Sequence, residues 1–399
     1  MKIETLHIVT AFPRSEDEVT ITPWLVETLR RLIDRDIGAT VLSPSYKGLE
    51  DQVLWGIPVK RFRYFPRRWE DLTHDETTPV RLQRKPHYIV HAASLVWRSI
   101  SAAKKTAREL MPDIVHVHWP FPFALPGLAA AKAVDARLVL KFYSAELIFL
   151  RKRAKWLSRF IHRPVNEADL ILANSSYTAE LFNNSYPGKK VDVLPEGFSI
   201  PERVDEGRAI IKADPPEILF VGRFVPRKGI DVLIRAFERV QNQIESRLVI
   251  IGGGPLEKDL RNLVDSLGLS DCVEFEIKVP EDELDRRYKR ASVFVLPAVY
   301  DEYGDTEGLG MVLIEALFRG TPVIGSRAGG IVDIVKDGET GLLAEPANPR
   351  DLAEKIITML SDKEMAEHLA AKGLEYVRAN FEWENVIDRL IGYYKGLLE

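Results

Sequence analysis

Two carboxylates bracketing a run of glycines carry the most chemistry in this chain. Glu307 and Glu315 flank Gly308-Leu-Gly-Met311, and Met311–Phe318 reads as a helix closed by Gly320. The amides of Gly308, Leu309, Gly310 and Met311 then lie at a helix N-terminus, where unpaired N–H groups and the helix dipole favour an anion. Glu307 stands just before this helix, and Glu315 sits inside it among apolar neighbours. A carboxylate in such surroundings needs hydrogen-bond donors. Ribose hydroxyls would supply them to Glu315, and hydroxyls of a sugar would supply them to Glu307. The alternatives are a structural carboxylate paired with an amide or an arginine at 315, and a helix cap at 307.

Upstream, Ile218-Leu-Phe-Val-Gly-Arg-Phe-Val-Pro-Arg-Lys-Gly-Ile230 reads as a strand, a short loop and a helix start. Gly222 lets the backbone turn as the strand ends. Arg223 and Lys228 flank the loop. They either converge on a diphosphate, Arg223 as a fork and Lys228 as a point charge, or remain two solvated cations.

The elements that must position these groups alternate. Short apolar runs at Leu6–Thr10, Thr40–Ser43, Ile114–His118, Leu138–Phe142, Leu170–Ala173 and Val191–Leu194 read as strands. Pro23–Ile33 (with Thr22 as N-cap), Leu95–Leu110 and Pro126–Ala133 read as helices between them. The rhythm restarts after a helix expected over 206–213 and a break at Ala213-Asp-Pro-Pro-Glu217, with strands at Ile218–Val221, Leu248–Ile251, Val273–Ile277, Val293–Leu296, Pro322–Gly325 and Gly341–Ala344. The expected fold is α/β, with two Rossmann-like, doubly wound domains over 1–200 and 201–380 and a terminal helix over 381–399. Such sheets bind ligands outside the carboxyl ends of their strands, so the expected site is a cleft between the domains.

Composition narrows the function further. Formal net charge is -4, which supplies no global field for nucleic acid. The charge divides unevenly, with a balance of +7 over residues 1–200 and −11 over the remainder. Cys272 is the single cysteine, so no disulfide forms within the chain. No apolar run approaches the roughly 20 residues of a membrane span, and the first residues lack a signal-peptide core. The expectation is a cytoplasmic protein that touches the inner face of the membrane peripherally. Two basic, aromatic stretches, 60–69 and 151–160, suit an anionic membrane surface, the second read as a basic amphipathic helix. Their other reading is aromatic rings packed inward beneath solvated cations.

Taken in order along the chain, these blocks resemble glycosyltransferase family 4, a large retaining family with the GT-B fold. Its Glu-x7-Glu motif is matched by Glu307 and Glu315, and its Gly-Arg-x4-Lys-Gly motif by Gly222, Arg223, Lys228 and Gly229. Gly252–Pro255, Gly320-Thr-Pro-Val-Ile324, Gly329-Gly330 and Asp337-Gly-Glu-Thr-Gly341 fit as well. The resemblance implies a nucleotide-sugar donor and a glycan or glycolipid acceptor, with no cofactor and no metal. It implies that Arg223 and Lys228 hold the diphosphate, that Glu315 holds the ribose, and that Glu307 and the amides after it meet the transferred sugar. It places Val279 at the base contact. Asp34-Arg-Asp36, the one literal Asp-x-Asp, ends a helix and is assigned no metal. A nucleotide-sugar epimerase, a sugar phosphorylase and a non-catalytic sugar-nucleotide binder are the competing readings on the same fold.

The N-terminal half departs from the pattern. The first loop, Ala11–Thr20, has no glycine; its Arg14 either contributes charge to the site or is solvated. Tyr143 stands where the family carries a histidine facing the sugar, and Glu146 keeps the acidic position. A tyrosine hydroxyl can bond a sugar but carries no charge at neutral pH. His116 and His118 alternate onto one face of a strand. A metal pair, a structural role, and an acceptor or sugar contact for His118 are all open.

Overall fold

The computed structural model describes residues 2–18, 20–74, 81, 87–152, 154–199, 212–302 and 304–399. It divides into two units. The first is Met1–Asn174, Thr178–Gly197 and Val386–Glu399; the second is Ser175–Tyr177 and Phe198–Asn385.

The first unit is built on β1 (Glu4–Ile8), β2 (Gly38–Pro44), β3 (Gln52–Leu54), β4 (Ile57–Phe62), β5 (Ile114–His118), β6 (Arg137–Phe142), β7 (Leu170–Ala173) and β8 (Asp192–Val193). Their order in the sheet is β3-β4-β2-β1-β5-β6-β7-β8. All neighbours are parallel except β3 and β4, an antiparallel hairpin that the sequence reading missed. The central strands are shielded on both faces, and every residue of β5 is buried, its two histidines included, as expected for parallel strands covered by helices. Thr22 does not cap the helix Pro23–Asp34 through its side chain, because its backbone is left-handed (φ 47, ψ 46).

The second unit holds β9 (Glu217–Val221), β10 (Arg247–Ile251), β11 (Val273–Glu276), β12 (Val293–Leu296), β13 (Val323–Ser326) and β14 (Leu342–Ala344). Their order is β11-β10-β9-β12-β13-β14, all parallel. The helix Ile230–Gln241 shows how the sheet is covered. Ile230, Leu233, Ile234, Phe237 and Val240 recur at helical spacing and are buried. Burying one such side chain is worth roughly 1.5–3 kcal/mol.

Each sheet has a point where chain order reverses. In the first, β1 is flanked by β2 and β5; in the second, β9 is flanked by β10 and β12. Ligands of doubly wound sheets bind outside the carboxyl ends of strands at such points. The helix expected over 206–213 lies almost wholly outside the described residues. Among the described residues no helix is long and apolar enough to cross a membrane.

Candidate active site

The loops after β9 and β12 meet at the switch point of the second sheet. β9 runs into Gly222, then a 3-10 turn over Pro226–Lys228, then the helix that starts at Ile230. The turn carries Lys228 inward, leaving it 8% exposed. Its ammonium donates to Glu307 Oε2 at 2.5 Å. Arg227 Nη1 lies 3.6 Å from the same oxygen and donates to the carbonyl of Thr306 at 3.0 Å. Arg227 is thus the second cation at this carboxylate. Arg223, at the other end of the loop, is exposed, and its guanidinium has no hydrogen-bond or ion-pair partner among the described residues.

The helix Met311–Phe318 begins at Gly310, whose φ of 96 suits glycine. Gly330 packs against the loop before it and donates to the carbonyl of Glu307 at 3.0 Å; a Cβ at Gly330 would stand 2.2 Å from the Gly308 carbonyl oxygen. Backbone contacts with Gly330 thus join the Arg227 and Lys228 side chains in holding the loop. Among the described residues the amides of Gly308, Leu309, Gly310 and Met311 have no acceptor. Four free donors therefore accompany the Lys228–Glu307 pair.

Glu315 is half-buried in that helix. The fully buried Tyr288 donates its hydroxyl to Glu315 Oε2 at 2.9 Å. No partner is present for Oε1 among the described residues, so one carboxylate oxygen is fixed and the other is available. Burial raises the Glu315 carboxyl, against the Tyr288 hydrogen bond and the charges of Arg319 and Lys228. Arg319 donates to the Glu315 carbonyl at 3.0 Å and to Asp285 at 2.7 Å, so it supports the helix rather than the carboxylate. Val279 follows β11 and is partly buried against the core of its unit.

In the first unit, the candidate residues gather at the carboxyl ends of β1, β5 and β6. His118 is buried rather than at an open edge. It belongs to a stack with His7 and His116, whose potential ligand atoms lie within 4.8 Å of one another. Thr5 gives its proton to the Gly38 carbonyl, so His7 donates from Nε2 to Thr5. His118 then donates from Nε2 to His7 Nδ1 at 3.1 Å, and its own Nδ1 faces the Tyr143 hydroxyl at 3.4 Å. The rings of His116 and His118 are 16° from parallel at 4.2 Å. His118, His7 and Thr5 form a buried hydrogen-bonded chain, while His116 bonds the Tyr394 hydroxyl through Nδ1 at 2.6 Å and keeps a buried Nε2 without a partner. Burial pushes His7 down to about 3 and the other two in the same direction.

Glu146 accepts from the Tyr143 amide at 2.7 Å and caps the helix Ser144–Lys152, while its Oε2 is buried without a partner. Burial pushes this carboxyl up to about 8. Arg14 is not a solvated cation: it pairs with Glu18 and lies 4.9 Å over the Tyr46 ring.

The basic stretches divide. Arg61 is buried and donates to the carbonyls of Phe12 and Pro13, and Arg63 pairs with the buried Glu70 at 2.6 Å. Trp69 is exposed with Arg68 over its ring. The expected single helix over 151–160 is broken: one helix ends at Lys152, a 3-10 turn covers Lys155–Ser158, and the helix Arg159–Glu167 starts afresh. Trp156 and Phe160 are exposed beside Arg159.

Reading the sequence missed Arg227, Tyr288 and His7. Arg227 was signalled only by its place before Lys228. Tyr288 was signalled as the lone aromatic residue in Glu281-Asp-Glu-Leu-Asp-Arg-Arg-Tyr-Lys-Arg290. His7 carried no signal until the sheet placed β1 beside β5.

Known proteins share this organisation. The profile of Glycosyltransferase Family 4 matches residues 23–200, and that of Glycosyl transferases group 1 matches residues 204–376. An uncharacterised glycosyltransferase of Methanocaldococcus jannaschii is 30% identical over 285 residues, covering 71% of this chain and 76% of that protein. The GDP-mannose-dependent alpha-(1-6)-phosphatidylinositol monomannoside mannosyltransferase of Mycobacterium tuberculosis is 30% identical over 251 residues, covering 60% of this chain; the match spans 65% of that relative's length. A crystal structure of Anabaena HepE in complex with UDP superposes with a TM-score of 0.70 at 18% identity, covering 99% of this chain and 100% of that one. That likeness shows the GT-B fold. With both family profiles matched in chain order and a relative covered over most of its length, the chain belongs to glycosyltransferase family 4.

Proposed function

We propose that the chain moves a hexosyl group from a nucleoside-diphosphate sugar to a glycan or glycolipid acceptor, with retention of configuration at the anomeric carbon. The observation that carries this reading is the buried Lys228–Glu307 pair beside four amides without acceptors, with Glu315 offering one free oxygen. Together they match a diphosphate, a sugar and a ribose.

Arrival of a diphosphate draws Lys228 from Glu307 and occupies the amides of Gly308, Leu309, Gly310 and Met311. The exposed Arg223 guanidinium closes on the same anion. Glu307 then accepts from hydroxyls of the sugar, and Glu315 Oε1 from the ribose. When the bond from the anomeric carbon to the diphosphate breaks, its electron pair stays on the diphosphate oxygen. Fixed cations and amide dipoles stabilise that charge without reorganising. The acceptor hydroxyl bonds to the anomeric carbon and passes its proton to the departing diphosphate oxygen, so the nucleoside diphosphate leaves carrying both the electron pair and the proton. Charge neutralisation is assigned to these groups rather than to a metal.

A lipid-linked acceptor is favoured by the relative that acts on a phosphatidylinositol mannoside and by the exposed Trp69, Trp156 and Phe160 beside arginines. Rings of this kind settle at a headgroup boundary when cations sit next to them. The test uses UDP- and GDP-sugars with anionic vesicles carrying a glycosylated lipid, in the presence of a chelator. Transfer of label to the lipid, and sedimentation with vesicles that weakens at high salt, is expected. Interconversion of the sugar nucleotide without transfer, or transfer abolished by the chelator, would overturn the reading.

A further inference from the structure

Three histidines from β1 and β5 meet in the interior of the first unit, and each turns one ring nitrogen to a hydroxyl. His7 uses Nε2 for Thr5 at 2.9 Å, His116 uses Nδ1 for Tyr394 at 2.6 Å, and His118 turns Nδ1 toward Tyr143 at 3.4 Å. The nitrogens left over are Nδ1 of His7 and Nε2 of His116 and His118. One nitrogen from each ring lies within 4.8 Å of one from each of the others.

Imidazole ligands are held in this way: one nitrogen takes the ion, and a hydrogen bond at the other fixes the tautomer and the ring. His7 already has the required form. The Thr5 hydroxyl gives its proton to the Gly38 carbonyl at 2.8 Å, so it accepts from Nε2, and Nδ1 carries a lone pair. His116 is 1% exposed and its Nε2 is buried without a partner. Such a nitrogen is uncommon in a folded chain and points to a group that satisfies it. His118 Nε2 stands 3.1 Å from His7 Nδ1. Two nitrogens on one tetrahedral ion, each about 2.0–2.1 Å from it, lie roughly 3.3 Å apart, so this pair has the span an ion needs. The His116 and His118 rings are stacked at 4.2 Å. His116 therefore has to turn Nε2 toward the pair, with its bond to Tyr394 as the pivot.

The surroundings suit a closed site. Trp24 lies 5.7 Å from the His118 ring, and Trp119 stacks on Tyr143 at 4.7 Å, so aromatic rings wall the cluster. Lys141 is buried nearby, but it pairs with Glu196 at 2.9 Å, and the Tyr143 hydroxyl bonds the same carboxylate. Glu146, bonded to the Tyr143 amide, adds a second buried carboxylate.

We propose that His7, His116 and His118 bind a divalent transition-metal ion of the Zn²⁺ type, for which neutral imidazole is a preferred ligand, with water completing the coordination. In the ion-free chain His118 donates from Nε2 to His7. On binding, that proton moves to His118 Nδ1, where the Tyr143 oxygen accepts it while the hydroxyl proton of Tyr143 stays on Glu196; no net proton leaves. His116 donates from Nδ1 to Tyr394, so the ion also ties the terminal helix Trp383–Leu398 to β5. None of the residues assigned to the donor takes part.

The test produces the full chain in cells supplied with Zn²⁺ or Co²⁺. After desalting, metal per chain, Co²⁺ visible absorption and thermal unfolding are measured, before and after a chelator. About one ion per chain is expected, with the strong visible bands of a tetrahedral Co²⁺ site and a melting temperature lowered by chelation. His7→Asn and His116→Asn should each lose the ion. Tyr394→Phe, which keeps the ring and removes the hydroxyl, should bind it about tenfold more weakly in competition with a chromophoric chelator. That variant keeps the test decisive where circular dichroism shows an asparagine variant unfolded. His87→Gln should retain the ion; His87 and His91 stand one turn apart at the start of another helix and are a second histidine pair. Wild type without an ion from either supply would overturn the site. So would an ion that survives in both asparagine variants, or one lost in His87→Gln. Chelation should leave nucleoside-diphosphate binding unchanged, so the metal site and the donor reading fail separately.

Discussion

At the scale of single residues, the site depends on which atoms are already committed. Glu315 has Oε2 held by a buried phenol and Oε1 open, so under the proposed function Tyr288 positions Glu315 for the ribose. Removing one hydroxyl should show this. Tyr288→Phe leaves a buried carboxylate oxygen without its donor, a loss of about 1–3 kcal/mol. The expected result is a reduced preference for ribonucleoside diphosphates over their 2′-deoxy counterparts, and loss of that preference in Glu315→Ala. Isothermal titration with both nucleotide series measures it; an unaltered preference in Tyr288→Phe would show that Tyr288 serves folding alone. The two motif carboxylates were legible in the sequence because their spacing brackets a glycine-rich helix start. Tyr288 and Arg227 were not, because contacts between β9, β12 and the intervening helix are tertiary and leave no periodic trace.

Elements determine where those residues stand, and here the two sheets differ in legibility. The strands of the second unit read clearly as short apolar runs between helices. The hairpin of β3 and β4 did not, since β3 is three residues long and Pro58 lies within β4. Proline within a run argues against a strand, and it is tolerated where the ladder has a free edge or a short partner. Its two-residue turn, Trp55-Gly56, has positive φ at both positions (49 and 79), the geometry that suits a hairpin. The break near Lys155 was equally hidden, because a run of cations and aromatics fits one amphipathic helix as well as two short ones. Burial in the first sheet also carries a pH dependence. His7, His116 and His118 are depressed in the folded protein, so their contribution to stability is complete above about pH 6.5 and is lost as the pH falls below it. Glu146 runs the other way. Raised to about 8, it contributes fully below its ordinary value near 4.5 and loses that contribution as the pH rises through 8. Glu146→Gln keeps the acceptor for the Tyr143 amide and removes the ionisation. Its melting temperature relative to wild type should climb from about pH 5 to pH 8 and level off above it, the underlying stability difference growing by about 1.4 kcal/mol per unit crossed. A difference that stays constant over this range would contradict the assignment.

The whole chain holds two sheets, each with a switch point furnished differently. Cations, free amides and carboxylates furnish the second, and stacked aromatics over a paired lysine furnish the first. The uneven charge balance read from the sequence does not mark this division, because many of the N-terminal cations are paired: Arg61 faces carbonyls, and Arg14 and Arg63 face carboxylates. The switch point of the second sheet was recognisable because its motif residues lie in contiguous blocks. The aromatic half was not, because Trp24, Trp119 and Tyr143 become neighbours only when β1, β5 and β6 pair. The central claim is that the loops after β9 and β12 bind a nucleoside diphosphate. Thermal unfolding with and without UDP or GDP tests it most directly, since a ligand that binds only the native state raises its melting temperature. Wild type should be stabilised by at least one of them. Lys228→Ala and Glu315→Ala should each lose most of that stabilisation while melting within a few degrees of wild type without ligand. Equal stabilisation of wild type and both variants would contradict the account.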